Sequence, residues 1–576
     1  MAVQYSLDGL LVPMVVLFSR PRMERGKFED RMFSGHDKKV SATLVNPVKM
    51  LKALTLLTFV LAAAQAELLV VEKRDKHPDG FSRIGPSPAD KVLTLRLALA
   101  HNDITGLHDA VYDVSTPGNP RYGQYLSKEQ VEKFIAPSQD TIAQVQSWLG
   151  LNNLTSSPLT PAGDWIAVNM TVAQANGILT AEFSTFQNKE TNHTVDRTLS
   201  YSIPSTLKSG INVIYPTVTF PVGVNRLDSV VNTTAPKSGA NTSIASISSD
   251  CQVSWTPACL QQLYKMPAEP ASPAPNVLAV SGFSNEFANK RDLKAFLEEF
   301  RPDMNPNTTF DLISIDGGIN NQLPAGAGIF GGIDTQYTVG LATGVPVAYI
   351  STGPLDSDDT LAAFLEQANY LVSSANPPQT IVNNFGGLES EVSPQIAESL
   401  CNAYAQLAAR GVSYIVNTGL WGAGGIPFVE CIPFDPPFPA SCPFVTAVGG
   451  TEFTSDETTE TAWALSGGGF SNFFKRPKYQ DTAVTAYLKT IGADGSSPFN
   501  VSGRAVPDVS ALSSAIWVID GGTVDFVGTP AFSADIFASV VALITNERIA
   551  AGKPGLGFLN PLIYQNGAAF NDMPTG

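Results

Sequence analysis

Residues 325–352 read AGAGIFGGIDTQYTVGLATGVPVAYIST. Glycines open the stretch, a helical run carrying one acid follows, and a strand-like VPVAYIST closes it. Phe330 stands four residues before Asp334, so at about 3.6 residues per turn both project from one helix face. A carboxylate at 330 would have paired with Asp334, and phenylalanine cannot.

Working outward, the same alternation of strand and helix continues on both sides. PNVLAVSGF precedes KRDLKAFLEEF, VPVAYIST precedes LAAFLEQANYLVSS, TIVNNFGG precedes PQIAESLCNAYAQLAARG, and VSYIVNTG follows. Repeated βα units predict an α/β fold, a parallel sheet covered by helices on both faces, over 250–576. Residues 67–222 mix strand-like VLTLRLALA with helical SKEQVEKFIAPSQDTIAQVQSWLG and predict a separate α+β unit. Between them 223–249 is rich in Ser, Thr, Asn and Ala and reads as an exposed linker where processing would fall.

At the N-terminus, Met50-Leu51-Lys52 followed by ALTLLTFVLAAAQA has the basic start, apolar core and small-residue end of a secretory signal peptide over 50–66. It is too short to span a membrane. Residues 1–49 show no convincing domain, and translation is expected to begin at Met50, with a signal anchor as the alternative. Sequons at Asn153, Asn169, Asn192, Asn232, Asn241, Asn307 and Asn500 agree with a secreted glycoprotein.

The composition narrows the chemistry. A net charge of −16 and a pI near 4.8 argue against nucleic acid or an anionic membrane as partner. All five histidines lie before residue 201. The C-terminal region therefore has no histidine for a Ser-His-Asp triad or a zinc site, and acid-base work there would fall to carboxylates. The five cysteines lack CxxC spacing. Cys251 with Cys259 and Cys431 with Cys442 would close short loops, leaving Cys401 as a buried thiol in a helical apolar run. An alternative partner for Cys442 is a cysteine beyond residue 576.

HDAVYDVSTPGNPRYGQYLSKEQV at 108–131 and GDWIAVNMTVAQANGILTAEFSTF at 163–186, then TPACLQQLY, FPASCPFVTAVGGTEF, SGGGFSNFFKRPKYQ and GRAVPDVSAL in that order, resemble the sedolisin family. These are serine-carboxyl peptidases that include the tripeptidyl peptidases. The resemblance implies a subtilisin-like peptidase domain preceded by a ferredoxin-like propeptide that covers the active site until cleaved. It also implies a Ser nucleophile, a Glu base, an Asp that orients it and a second Asp at the oxyanion. For 67–222 the alternative is a free-standing α+β module.

Carried onto this chain, the catalytic pattern is largely missing. The E-x-x-x-D helix places Phe330 at the Glu position and keeps Asp334, followed by Gln336-Tyr337. Anchored on IFASVVALI, the stretch VGTPAFSADIFA at 527–538 places Ala531 at the nucleophile and Asp535 at a later Pro. Asn417-Thr418-Gly419-Leu420-Trp421-Gly422 puts Leu420 where the oxyanion Asp belongs. Phe330, Leu420 and Ala531 are expected to converge at the mouth of the sheet. Asp334, stripped of its Glu, is expected to be hydrated or held by backbone donors. Ser533 is the alternative nucleophile, although two residues along a helix rotate a side chain by about 200°. Losing one triad member costs on the order of 10⁴ to 10⁶ in rate.

The resemblance also implies Ca²⁺. Phe570-Asn571-Asp572-Met573 supplies the first half of the family's site, a carboxylate from Asp572 and the next carbonyl, from Met573, before the chain stops at Gly576. An Asn-Asp turn is the plainer reading, and the peptidase-like domain is expected to be C-terminally truncated. Three functions follow: a secreted pseudopeptidase that binds protein or peptide ligands and its own propeptide, an active acid peptidase, or the product of a defective gene model.

Overall fold

The computed structural model describes residues 67–221, 231–232, 251, 255–353, 359–420, 422, 434–453 and 460–573. The expected signal peptide, the 1–49 extension, most of the linker and Cys431 lie outside the described residues.

In the N-terminal part, β1 (Val92–Leu99), α1 (Ile104–Ser115), β2 (Ser156–Pro158), β3 (Trp165–Thr171), α2 (Val172–Leu179) and β4 (Ile211–Tyr215) form one α+β layer. The sheet order is β2-β3-β1-β4, with every neighbouring pair antiparallel. With helices between β1 and β2 and between β3 and β4, this is the ferredoxin-like βαββαβ arrangement. The helix starts are legible: Thr171 caps α2 and exchanges bonds with Gln174 as a capping box.

The C-terminal part is built on β5 (Leu278–Gly282), α3 (Lys290–Phe300), β6 (Asp311–Ile315), α4 (Ile329–Leu341), β7 (Val347–Thr352), α5 (Thr360–Ser373), β8 (Thr380–Asn383), α6 (Pro394–Ala409), β9 (Ser413–Asn417), β10 (Thr446–Phe453), β11 (Glu460–Ala462), β12 (Val509–Leu512), the hairpin β13 (Ile516–Asp520) and β14 (Thr523–Gly528), and α7 (Pro530–Ala550). Among the described residues the main sheet runs β6-β7-β5-β8-β9-β10-β11, with β12 also on β10. All pairs are parallel except β10 with β11.

Strand periodicity sorts the core into two faces. Leu278, Val280, Tyr349, Val382, Ile415 and Val448 pack with α3, α4 and α7. Their sequence neighbours Ala279, Ala348, Ile350, Ile381, Val416 and Ala447 pack with α5, α6 and the N-terminal unit. The second cluster takes in Leu107, Val111, Trp165, Val213 and Tyr215, so the two parts share one hydrophobic core. Tyr125 fastens them further, its ring filling a slot beside Gly411 and Gly557, where any side chain would collide with it. Both glycines also have positive φ.

Cys251 is bonded to Cys259 and Cys401 to Cys442. The expected Cys431–Cys442 pair with a free Cys401 is therefore corrected. Packing of α6 brings Cys401 to a Cα separation of 5.6 Å from Cys442, across 41 residues, and proximity in sequence carries no information about that. Among the described residues no helix is long and apolar enough to cross a membrane.

Candidate active site

β6 and β7 lie on one side of β5 and β8 to β10 on the other, so strand order reverses beside β5. In open α/β sheets the crevice at the carboxyl ends of the strands near such a reversal is where sites form. Glu286 follows β5, Asn384 follows β8, and Asn417 ends β9. The first turns of α4 and α7 reach this edge too. Phe330 and Ala531 leave their own face of the sheet and join the opposite cluster, with Phe283 and Phe385.

Helix α4 starts at Gly328, which has no side chain to cap it. Glu286 caps it from outside: Oε2 accepts the Phe330 N–H at 3.2 Å. Burial nevertheless raises the Glu286 carboxyl above its ordinary range. Gly331 permits the contact, because a Cβ there would press on the backbone of Phe287 and Ala288. Beyond the first turn α4 is buried on every side. Gln336 exchanges two hydrogen bonds with the Ile519 backbone, at 2.7 and 3.0 Å, and Tyr337 donates to Trp517 O.

Asp334 is 1% exposed. Its Oδ1 accepts from the side-chain amide of Asn384 at 2.9 Å, and the same Nδ2 donates to Oδ1 of Asp535 on α7 at 3.1 Å. Asn384 bridges the two carboxyls, and each acts on the other's titration. The expectation of water or backbone donors is thus corrected: α7 packs on α4 closely enough to exclude water, and side chains do the holding. Burial pushes Asp334 up to about 7. Asp535, fully buried, is raised well above the usual carboxylate range by burial and then by Asp334. Asn384 is held in turn, since Asn417 Nδ2 donates to its carbonyl at 3.1 Å and its Oδ1 at 3.2 Å. Asn417 Oδ1 accepts from Gly419 N at 3.0 Å.

Ala531 lies in the first turn of α7 and is fully buried. The hydroxyls on either side of it are committed. Thr529 caps the helix and accepts from Ala531 N at 3.3 Å. Ser533 faces β12, donating to Leu512 O at 3.1 Å and sharing a 2.5 Å bond with Ser513 Oγ. Phe532 packs edge-on against Tyr337 at 4.3 Å. Leu420, just past β9, packs with Leu388 and Trp463 in a cluster separate from that of Phe330 and Ala531. The Gly419 N–H links its neighbourhood to Asn417. Asp572 is exposed in the coil after the last helical turn. Among the described residues no three His, Cys, Asp or Glu side chains gather where they could hold a metal ion.

Sequence reasoning passed over Asn384 and Glu286, and noted Asp535 without a role. The available signal was an acid in the apolar run AFSADIFASVVALI, where an unpaired charge would be expensive.

Fold and site together define an α/β protein of the serine-carboxyl peptidase architecture, with an N-terminal activation domain. Residues 79–220 match the family described as Pro-kumamolisin, activation domain. The chain is 34% identical over 530 residues to tripeptidyl-peptidase SED2 of Arthroderma otae, covering 88% of each chain. It is 33% identical over 551 residues to the probable tripeptidyl-peptidase SED2 of Arthroderma benhamiae, covering 92% of each. A solved Pseudomonas sedolisin, a serine-carboxyl proteinase complexed with two molecules of pseudo-iodotyrostatin, aligns at a TM-score of 0.44 and 20% identity, over 56% of this chain and 89% of that one. The chain belongs to the sedolisin family of tripeptidyl-peptidase homologues.

Proposed function

We propose that this chain is a secreted pseudopeptidase, a sedolisin scaffold that binds protein or peptide ligands without cleaving them and keeps its own propeptide in place. One observation carries the reading. Around the first turn of α7 both hydroxyls are spent, Thr529 on the helix cap and Ser533 on Leu512 and Ser513, with Ala531 between them. The acids support it. Two carboxyls sharing a proton can activate water when substrate reaches them, but Asp334 and Asp535 are 1% and 0% exposed.

Secretion and glycosylation rest on the 50–66 signal and the sequons. Calcium at Asp572 and Met573 rests on the family pattern; two oxygens fall short of the roughly six the ion takes, and no step here depends on it. The test is hydrolysis of a broad peptide library by the secreted, acid-treated protein. No cleavage is expected from the unmodified chain, whereas the Ala531→Ser, Phe330→Glu, Leu420→Asp variant, which puts the catalytic groups back, should gain it. Turnover by the unmodified chain that Ser533→Ala abolishes would instead establish an active acid peptidase.

A further inference from the structure

We propose that Asp334 and Asp535 form a proton-locked clasp, in which one proton held between the two carboxyls fastens α7 to α4 and passes to solvent when the clasp opens. The proposal does not depend on whether the chain cleaves peptides. It stands first on geometry. Asp334 is the sixth residue of α4 and Asp535 the sixth of α7, so the pair joins the two helices one turn inside their N-termini. Each carboxyl gives Oδ1 to the Asn384 amide, and each keeps a buried Oδ2 that no donor group reaches. Two buried carboxyls joined through one amide, each with an oxygen that has no donor, are accommodated when a proton on one of them supplies the missing donor.

The surroundings favour that state over ionisation. Among the described residues neither carboxyl has a salt bridge. The titratable groups that face the pair are Glu286, whose charge acts on Asp334, and Tyr349, whose phenol is held protonated by burial and by Glu286 and Asp334. Asp520 lies behind Glu286. All are acids, so a second negative charge on the pair meets only repulsion. The pair titrates as a unit.

The sign follows from linkage. The folded pair gives up a first proton at about pH 7, the value at Asp334, and holds the remaining one beyond that pH, because Asp535 is raised by burial and by Asp334; unfolded aspartates lose both near the ordinary value of about 3.9. Unfolding above about pH 4 therefore releases the pair's protons, and the clasp's contribution is fully present in acid, weakens as the first proton leaves at about pH 7 and is lost as the second leaves at higher pH. Opening is expected to begin at the N-terminal halves of α4 and α7, which share the pair, and to reach Asn417 and the Gly419 turn through Asn384.

The experiment uses the full-length protein. Hydrogen exchange, expressed as protection factors, is followed for peptides covering α4 and α7 at pH 5 and in steps upward from about pH 8, in the unmodified chain and in Asp535→Asn. The unmodified chain should lose protection on the order of tenfold or more, and Asp535→Asn, which offers Asp334 an amide donor, should lose little. Infrared spectra at pH 6 should show a protonated-carboxyl carbonyl band that weakens by one carboxyl in Asp535→Asn. Asp334→Asn repeats the measurement from the other helix should the first variant fold poorly. An equal loss of protection in variant and parent, or an infrared band that neither substitution reduces, would overturn the clasp.

Discussion

Retention of the N-terminal domain can be tested at one ion pair. The Arg197 guanidinium donates to Asp359 Oδ2 at 2.6 Å, with side chains only 7% and 10% exposed. It also donates to Thr219 O at 2.6 Å and to Asp196 O at 3.0 Å. Asp359 caps α5, so the pair spans the two parts of the chain. Replacing Arg197 by Met keeps much of the packing and takes away the cation paired with the buried Asp359 carboxylate. Breaking a buried pair by removing one partner costs about 3–5 kcal/mol. Asp359 retains the Tyr215 hydroxyl at 2.5 Å and the Ala362 N–H at 3.2 Å, which places the loss near the lower end. About 3 kcal/mol corresponds to roughly a hundredfold weaker association. The assay is to cut the 223–249 linker with an added protease and measure dissociation of the N-terminal fragment by calorimetry or gel filtration. Lys76→Met, at an exposed pair, is the control and should leave the affinity unchanged. A change within twofold for Arg197→Met would refute this account of the interface.

Held at pH 3 to 5, the purified protein should remain one chain by mass spectrometry, because self-cleavage needs the Ser, Glu and oxyanion Asp that are Ala531, Phe330 and Leu420. Cleavage within 223–249 that persists with inhibitors of contaminating proteases and vanishes in Ser533→Ala would contradict this. Removing the Cys401–Cys442 bond as a double Ala variant should cost about 4 kcal/mol, from the loop-closure entropy of a 41-residue separation; denaturant midpoints read it directly. Ser533→Ala should lower stability by about 1 kcal/mol through its lost hydrogen bond while leaving peptide hydrolysis at background. Phe330→Ala should cost about 3 kcal/mol or more, since a buried aromatic is truncated, whereas a solvent-facing remnant would show almost no change on thermal melting.

Periodicity carried the sequence reading a long way. The run of βα units was enough for a parallel sheet with two covered faces, because each strand's alternate residues had to be apolar on both sides. The order of short motifs was enough for the family, and the substitutions at 330, 420 and 531 were visible as soon as those motifs were aligned. What lay beyond reach were contacts between elements distant in the chain. Asp334 looked like a lone acid because its partner, Asp535, is 201 positions away by simple subtraction of their numbers and meets it only when α7 lies along α4. Asn384, which holds both, sits in an unremarkable strand end. Cys401 chose Cys442 over the nearer pairing for the same reason: a helix face, and not a spacing, decides which sulfur is 5.6 Å away at the Cα level. Local pattern is written in the order of residues, since backbone geometry repeats every two or about 3.6 positions. The partner of a buried charge is set by which helices pack together, and only the tertiary structure determines that.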